Sequence, residues 1–379
     1  MAHWIEKLNL IETPSYLIDK RLMDKNLNII SHIKAQTNCN IILALKAFST
    51  FSVSNLFKHI IDGVTASSIY EARLGVEEFN GNIHVHTIGM DQNDIKQYQQ
   101  LASHISFNSI NQMESFKKVK SDKTPSLGLR INPQISSVKT EKYNPCAQYS
   151  RLGIPIQQIN PGILEEINGL HFHALCEQGI EPLLKCLEKI ENKFGDNLKH
   201  CDWINWGGGH LLTSDNYELD KLIYIINEWQ KKYECKIILE PGEAFSINSG
   251  YYVSKILDII ENEKNIIICD ISATAHMPDI LEYPYRPRIK FSAHPNQKKH
   301  TYIIGGNTCL AGDIIGEYSF DQELKINDHL IFEDMAHYTI VKTSNFNGVK
   351  QPSIGIINEV GKINMIRHSS YFNFKERLS

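Results

Sequence analysis

Lys46 closes an apolar run, "NIILAL" at 40–45, and is followed by "AFST". A strand-end lysine can snorkel to water. In a recessed site its amine loses some of its basicity and becomes a nucleophile toward an aldehyde, giving a Schiff base. Three more features carry possible chemistry. "HFH" puts His171 and His173 on one face of a strand. Two imidazoles are a start toward a metal site, but no third ligand stands at a useful spacing, and no metal is expected. His171 reads as a core histidine, whereas His173, nearer the strand end, could pack on a flat ring. "WGGGH" contains Gly207, Gly208 and Gly209; it is either a flexible turn or a nest of backbone N–H groups for an anion such as phosphate. "LEPGE" holds Glu240 at a strand end, as a solvated carboxylate or as the partner of a pyridinium nitrogen.

These residues need a scaffold that brings strand ends together. Eight short apolar segments supply one: 40–45, 63–66, 83–88, 104–107, 127–131, 169–174, 203–206 and 236–240. Helical segments lie between them. "SIYEARLGVEEF" opens with Ser68 and carries Glu71 three residues on, a capping-box pattern. "EPLLKCLEKIENKF" sets Leu183, Leu184, Leu187, Ile190 and Phe194 on one face. Strands alternating with helices predict an α/β fold, a (β/α)8 TIM barrel over 22–245, whose active site lies at the C-terminal strand ends. Those ends carry Lys46, Ser67, Arg130, His173, the glycine triplet and Glu240. The long connection over 132–168 is a candidate functional loop. Beyond 245 the rhythm changes to strands: "GYYVSKILDIIE", "NIIICDIS", "HTYIIGG", "DHLIFED" and "PSIGIINE". Together with "PSYLID" at 14–19 they predict a β-rich domain made of 1–21 and 246–379. A lysine, a phosphate nest, a stacking imidazole and a pyridine-facing carboxylate are together the parts of a pyridoxal 5′-phosphate (PLP) site.

Bulk properties exclude other classes. A net charge of −4 without a basic block argues against nucleic acid. No apolar run nears the roughly 20 residues of a membrane span, and "MAHWIEKLNLIETPSY" lacks a leader's basic start and apolar core. The 8 cysteines include no CxxC pair, so free thiols and a cytoplasmic location are expected.

The chain resembles the PLP-dependent decarboxylases built on the alanine racemase-type (fold type III) barrel, and within them the carboxynorspermidine/carboxyspermidine branch. The resemblance rests on "LALKAFS", "TASSIYEARLG", "LRINP", "YNPCAQYSRLGI", "GLHFHALCEQ", "NWGGGH", "EPGEA", "SATAHMPDILEYPYRP", "GGNTCLAGD" and "DMAHYTIVKTSNFNG". It implies that Lys46 holds the cofactor as a Schiff base, His173 stacks on its ring, Gly207–Gly209 and Tyr338 hold its phosphate, Arg130 supports the site near the ring and Glu240 faces the ring nitrogen. It implies a homodimer in which the "TCLAGD" segment of one subunit completes the other's site, with Cys309 returning a proton after CO₂ leaves. Ornithine and diaminopimelate decarboxylases usually have arginine after "EPG"; here Glu243 stands there, which speaks against those two alternatives. Glu243, Asp279, Glu282, Asp313 and Glu317 are the acidic candidates for a polyamine substrate's ammonium groups. An amino-acid decarboxylase of the ornithine or diaminopimelate type and a non-catalytic, decarboxylase-like regulatory binding protein are the competing readings.

Overall fold

The computed structural model describes residues 4–379; the first three residues of the segment read above for a leader lie outside them. The strands in chain order are β1 (Ser15–Asp19), β2 (Asn40–Ala44), β3 (Gly63–Ala66), β4 (Asn82–Val85), β5 (His104–Phe107), β6 (Ser126–Asn132), β7 (Ile154–Pro155), β8 (Gly169–Phe172), β9 (Trp203–Asn205) and β10 (Lys236–Leu239). Seven more follow: β11 (Gly250–Asn262), β12 (Lys264–Cys269), β13 (His300–Gly305), β14 (Ile314–Phe320), β15 (His329–Glu333), β16 (Ser353–Ile357) and β17 (Ile363–Arg367). The chain divides into two compact units, Asn26–Phe245 and Met1–Lys25 with Ser246–Ser379.

In the first unit eight parallel strands pair in the order β5-β4-β3-β2-β10-β9-β8-β6, and pairing of β5 with β6 closes the ring. All eight expected strands are present. Five end earlier than expected, and in three of them this leaves His86, His173 and Glu240 just past the strand. The ring's floor is a packing solution. Trp203 lies across β6 and β8, where a Cβ on Gly128 or Gly169 would come within 2.4 or 2.2 Å of its ring. His84 and His104 stack at 4.0 Å and 6°, and His104 meets Trp203 edge-on at 5.6 Å. Ile42 and Ile238 pack on the same indole.

Because side chains alternate across a strand, positions two residues beyond this floor also point inward. They are Arg130, His171, Asn205, Glu240, His86 and Ser106; two further on lie Lys46 and His173. The floor therefore sets the register of the site above it.

Outside the ring, the helix Ile69–Glu78 is capped by Ser68, whose side chain accepts from the Glu71 N–H. The Glu71 carboxylate returns to Ser67 N at 2.6 Å, one residue earlier than a capping box places it. The helix Ile180–Phe194 buries Ile180, Leu183, Cys186, Leu187, Ile190 and Phe194. Leu184, expected on that face, is only half-buried; Cys186 takes its place, since the buried stripe is centred one position away.

The second unit is a mixed sheet in the order β14-β13-β12-β11-β1-β16-β17, with β15 also on β11. The N-terminal β1 joins it, antiparallel to β11 and parallel to β16. Tyr16 and Tyr252 stack at 4.4 Å in its core. β14 and β17 were not expected from sequence: Gly316 interrupts the first, and the second is a largely exposed edge without clear alternation. Among the described residues no helix is long and apolar enough to cross a membrane.

Candidate active site

The barrel rim gathers Lys46, Arg130, His173, Gly207–Gly209 and Glu240 around one opening. Lys46 is exposed, in contrast to the buried run before it. Its pKa nevertheless lies below the usual lysine value, first through burial and then through the like charge of Arg130, with Glu240 opposing. The two facts agree if the amine stands in a recess that water enters but protein mostly surrounds. The repulsion from Arg130 acts in either case.

Glu240 is the buried carboxylate of the rim. Burial raises its pKa, while the Asn205 hydrogen bond, Lys46 and Arg130 pull it back down. Oε1 accepts from Asn205 Nδ2 at 2.7 Å. Oε2 is 3.8 Å from His171 Nε2. Asn205, 1% exposed, also accepts from Gly207 N through Oδ1 at 2.8 Å. It thus ties the carboxylate to the glycine turn, and its amide orientation follows from having one acceptor and one donor partner. Asn205 does not stand out in "NWGGGH" as a motif; its inward position two residues past Trp203 is the signal the sequence offers.

The triplet differs from a simple anion nest. A Cβ on Gly207, Gly208 or Gly209 would lie 2.5, 2.3 or 2.2 Å from the carbonyl oxygens of Phe172, Glu240 and Leu175. Glycine is needed here because three chain segments nearly touch. The N–H groups of Gly207 and Gly208 are already engaged, by Asn205 Oδ1 and by His173 Nδ1 at 3.0 Å. The second bond makes Nδ1 of His173 the acceptor and leaves the proton on Nε2. Burial and the charges of Lys46 and Arg130 hold His173 well below the usual histidine range, so its ring is neutral. His171 is likewise neutral, and neither of its nitrogens has a hydrogen-bond partner.

His171, His173 and Glu240 offer ligand atoms within 4.8 Å of one another. The third ligand that sequence spacing did not provide therefore comes from just past β10. Ligands about 2 Å from a zinc ion stand closer together than that limit, and Lys46 and Arg130 oppose a further cation. Glu243 opens a short helix, Glu243–Ser246. Its charge, after burial and Glu177, helps push the Cys176 thiol up to about 11.

The remaining expected residues belong to the β-rich unit. Cys309 is exposed, its N–H bonded to Asn347 Oδ1 at 2.9 Å. Asp313 is not available to a ligand, contrary to expectation. It is 3% exposed; Oδ1 accepts from Ser272 Oγ, Ala273 N and Thr274 N, and Oδ2 from Thr308 N and Oγ1. It clamps the turn that carries Cys309. Glu282 pairs with Lys342, and Glu317 with Lys264 at 3.0 Å. Asp279 accepts from Tyr285 Oη at 2.8 Å and Thr339 Oγ1 at 3.0 Å through Oδ2, while its Oδ1 has no hydrogen-bond partner. Tyr338 precedes the short helix Thr339–Lys342 with φ at 40°.

Comparison with known proteins shows the family of the chain. Residues 16–336 match the family described as pyridoxal-dependent decarboxylase, C-terminal sheet domain. A carboxyaminopropylagmatine decarboxylase of Synechocystis sp. is 39% identical, covering 98% of this chain and 97% of its own. A carboxynorspermidine/carboxyspermidine decarboxylase of Campylobacter jejuni is 37% identical, covering 97% and 98%. The crystal structure of carboxynorspermidine decarboxylase complexed with norspermidine, also from Campylobacter jejuni, superposes with a TM-score of 0.87 at 34% identity over 97% of this chain and 100% of that one. This chain belongs to the pyridoxal-dependent decarboxylases, as an enzyme whose cofactor is pyridoxal 5′-phosphate.

Proposed function

We propose that the enzyme decarboxylates carboxynorspermidine and/or carboxyspermidine, a step of polyamine biosynthesis. The observation that carries this reading is the near-full-length likeness to a decarboxylase crystallised with norspermidine. The rim residues suit the cofactor. Glu240 is a buried carboxylate whose near neighbour His171 is neutral, a setting that a pyridinium nitrogen would complete. Bound PLP supplies a sink for the electron pair left when CO₂ departs.

The roles of the chain's own residues follow. Lys46 carries the cofactor through an amine whose lowered pKa favours the unprotonated form. Glu240, held by Asn205, would meet the ring nitrogen, and neutral His173 would offer its face to the ring. Arg130 would support the site near the ring; Gly209 N–H, with the turn that Gly207 and Gly208 build, and Tyr338 would serve the phosphate. Cys309 gives the substrate carbon a proton from the partner subunit of a homodimer, so the β-rich domain serves both dimer and site. Asp279 is an acidic candidate for a substrate ammonium, through the carboxylate that accepts from Tyr285 and Thr339. Glu243, Glu282 and Glu317 act at longer range.

A second reading is favoured by the Synechocystis relative: carboxyaminopropylagmatine, whose far end is a guanidinium. CO₂ release from all three compounds, with diaminopimelate, ornithine and arginine as controls, tests both. Release from one or more of the polyamine-like acids is expected; release from diaminopimelate alone would overturn the proposal.

A further inference from the structure

His86, just past β4, connects the rim to the barrel wall. Its Nδ1 is 2.8 Å from the carbonyl oxygen of Ser106. A carbonyl only accepts, so Nδ1 carries the proton. In the neutral ring Nε2 is then an acceptor, and Arg130 Nη1 lies 2.7 Å from it. The imidazole packs edge-on against His171 at 5.3 Å and 83°. Partners on both nitrogens and a ring at its side leave His86 one tautomer and one orientation.

Arg130 depends on this contact. It is 7% exposed, and among the described residues its one other hydrogen bond, from Nη2 to the His173 carbonyl, is long at 3.5 Å. Among the described residues no carboxylate pairs with it directly. We infer that His86 is a positioning residue, which fixes the Arg130 guanidinium at the rim beside Lys46 without neutralising it. The inference rests on the reading of Lys46 and Arg130 as cofactor-site residues. An imidazole suits the task better than a carboxylate, which would form an ion pair and cancel the field that Arg130 exerts on Lys46. The groups acting on His86 are Arg130 and Lys46, with neutral His171 beside it, and burial holds its pKa to about 3. Those acting on Lys46 are Arg130, Glu240, Cys176 and Glu71.

The test is competitive acetylation of the full-length chain after hydroxylamine has removed the cofactor, reading the pH of half-labelling at Lys46 by mass spectrometry. Arg130→Gln should raise that pH by about one unit. His86→Leu should raise it comparably, the double variant no further, and His86→Gln, which restores an acceptor, should stay near wild type. A His86→Leu protein that labels like wild type, or a double variant whose shift is the sum of the single ones, would overturn the inference. If His86→Leu does not fold, the ¹⁵N shifts of His86 in the wild-type chain decide: a proton on Nδ1 supports the inference and a proton on Nε2 overturns it. Neither readout involves substrate. Failure of the cofactor-lysine reading would appear separately, as a Lys46→Ala protein that keeps a borohydride-sensitive visible absorbance.

Discussion

The floor and the rim of the barrel are two inward layers of the same strands, and they solve different problems. At the floor Trp203, Gly128, Gly169, Ile42 and Ile238 fill space. His84 and His104 are stacked there as neutral aromatic rings, and His84 Nε2 has no partner. At the rim the corresponding positions hold Arg130, Asn205, Glu240 and His86, in two pairs bonded at 2.7 Å, Arg130 with His86 and Asn205 with Glu240. Packing dominates one layer and polar chemistry the other, with the first rim positions two residues beyond the floor. Substitutions should therefore separate the two.

The largest effect should come from the rim. Lys46→Ala removes the amine and should lower kcat by on the order of 10³-fold or more, with no visible cofactor absorbance. Because Lys46 is exposed, its removal leaves no cavity, and the denaturation midpoint should match wild type. A large fall in that midpoint would break the proposed division.

Gly169→Ala is the reverse experiment. The new methyl would stand 2.2 Å from the Trp203 ring, and overpacking of this kind costs about 1–3 kcal/mol or more. Denaturant titration should show that loss, while kcat per folded molecule stays within a few-fold. Loss of kcat without loss of stability would place Trp203 within the chemistry.

Asn205→Leu tests the boundary, since the residue follows the floor tryptophan and holds the rim carboxylate. It would leave both Glu240 Oε1 and Gly207 N without their present partner, at a cost of about 1–3 kcal/mol for each buried group left unsatisfied. Because the Asn205 bond is the largest effect lowering the Glu240 pKa, that pKa should rise further and cofactor affinity should fall. Equilibrium titration with PLP and a denaturation curve read the two losses on one protein. Unchanged affinity would separate Glu240 from the cofactor.

How much of this division was legible in the sequence can be traced residue by residue. The eight strands, Lys46 at the end of one and Glu240 at the end of another follow from local patterns, because short apolar runs and strand-end polarity are written in adjacent residues. The Asn205–Glu240 and His86–Arg130 bonds are not. His86 and Arg130 are 44 positions apart, and each meets its partner only once the ring closes. The glycine triplet was legible as a turn, but its cause is the crossing of chain segments, visible only in three dimensions. Asp313 shows the same limit. An acid near Cys309 suggests a ligand contact, yet five donors gather on its oxygens, three from the distant segment 272–274 and two from nearby Thr308.

The smallest expected effect concerns acid. Burial lowers the pKa of His104 from 6.5 to about 4, and His84 beside it is held well below its ordinary range. The unfolded chain takes up these protons first. The stability associated with neutral imidazoles is thus fully present above about pH 6.5 and is lost as the pH falls toward 4. His104→Phe keeps a flat ring against His84 and Trp203 but cannot bind a proton. Its stability should therefore fall less steeply than wild type between pH 6.5 and 4, as read by urea midpoints across that range. Rim histidines contribute to the slope as well, His86 down to about pH 3, so the variant should reduce the acid sensitivity without abolishing it. Parallel curves for the two proteins would mean that the floor is indifferent to charge, and that acid acts on this barrel through the rim alone.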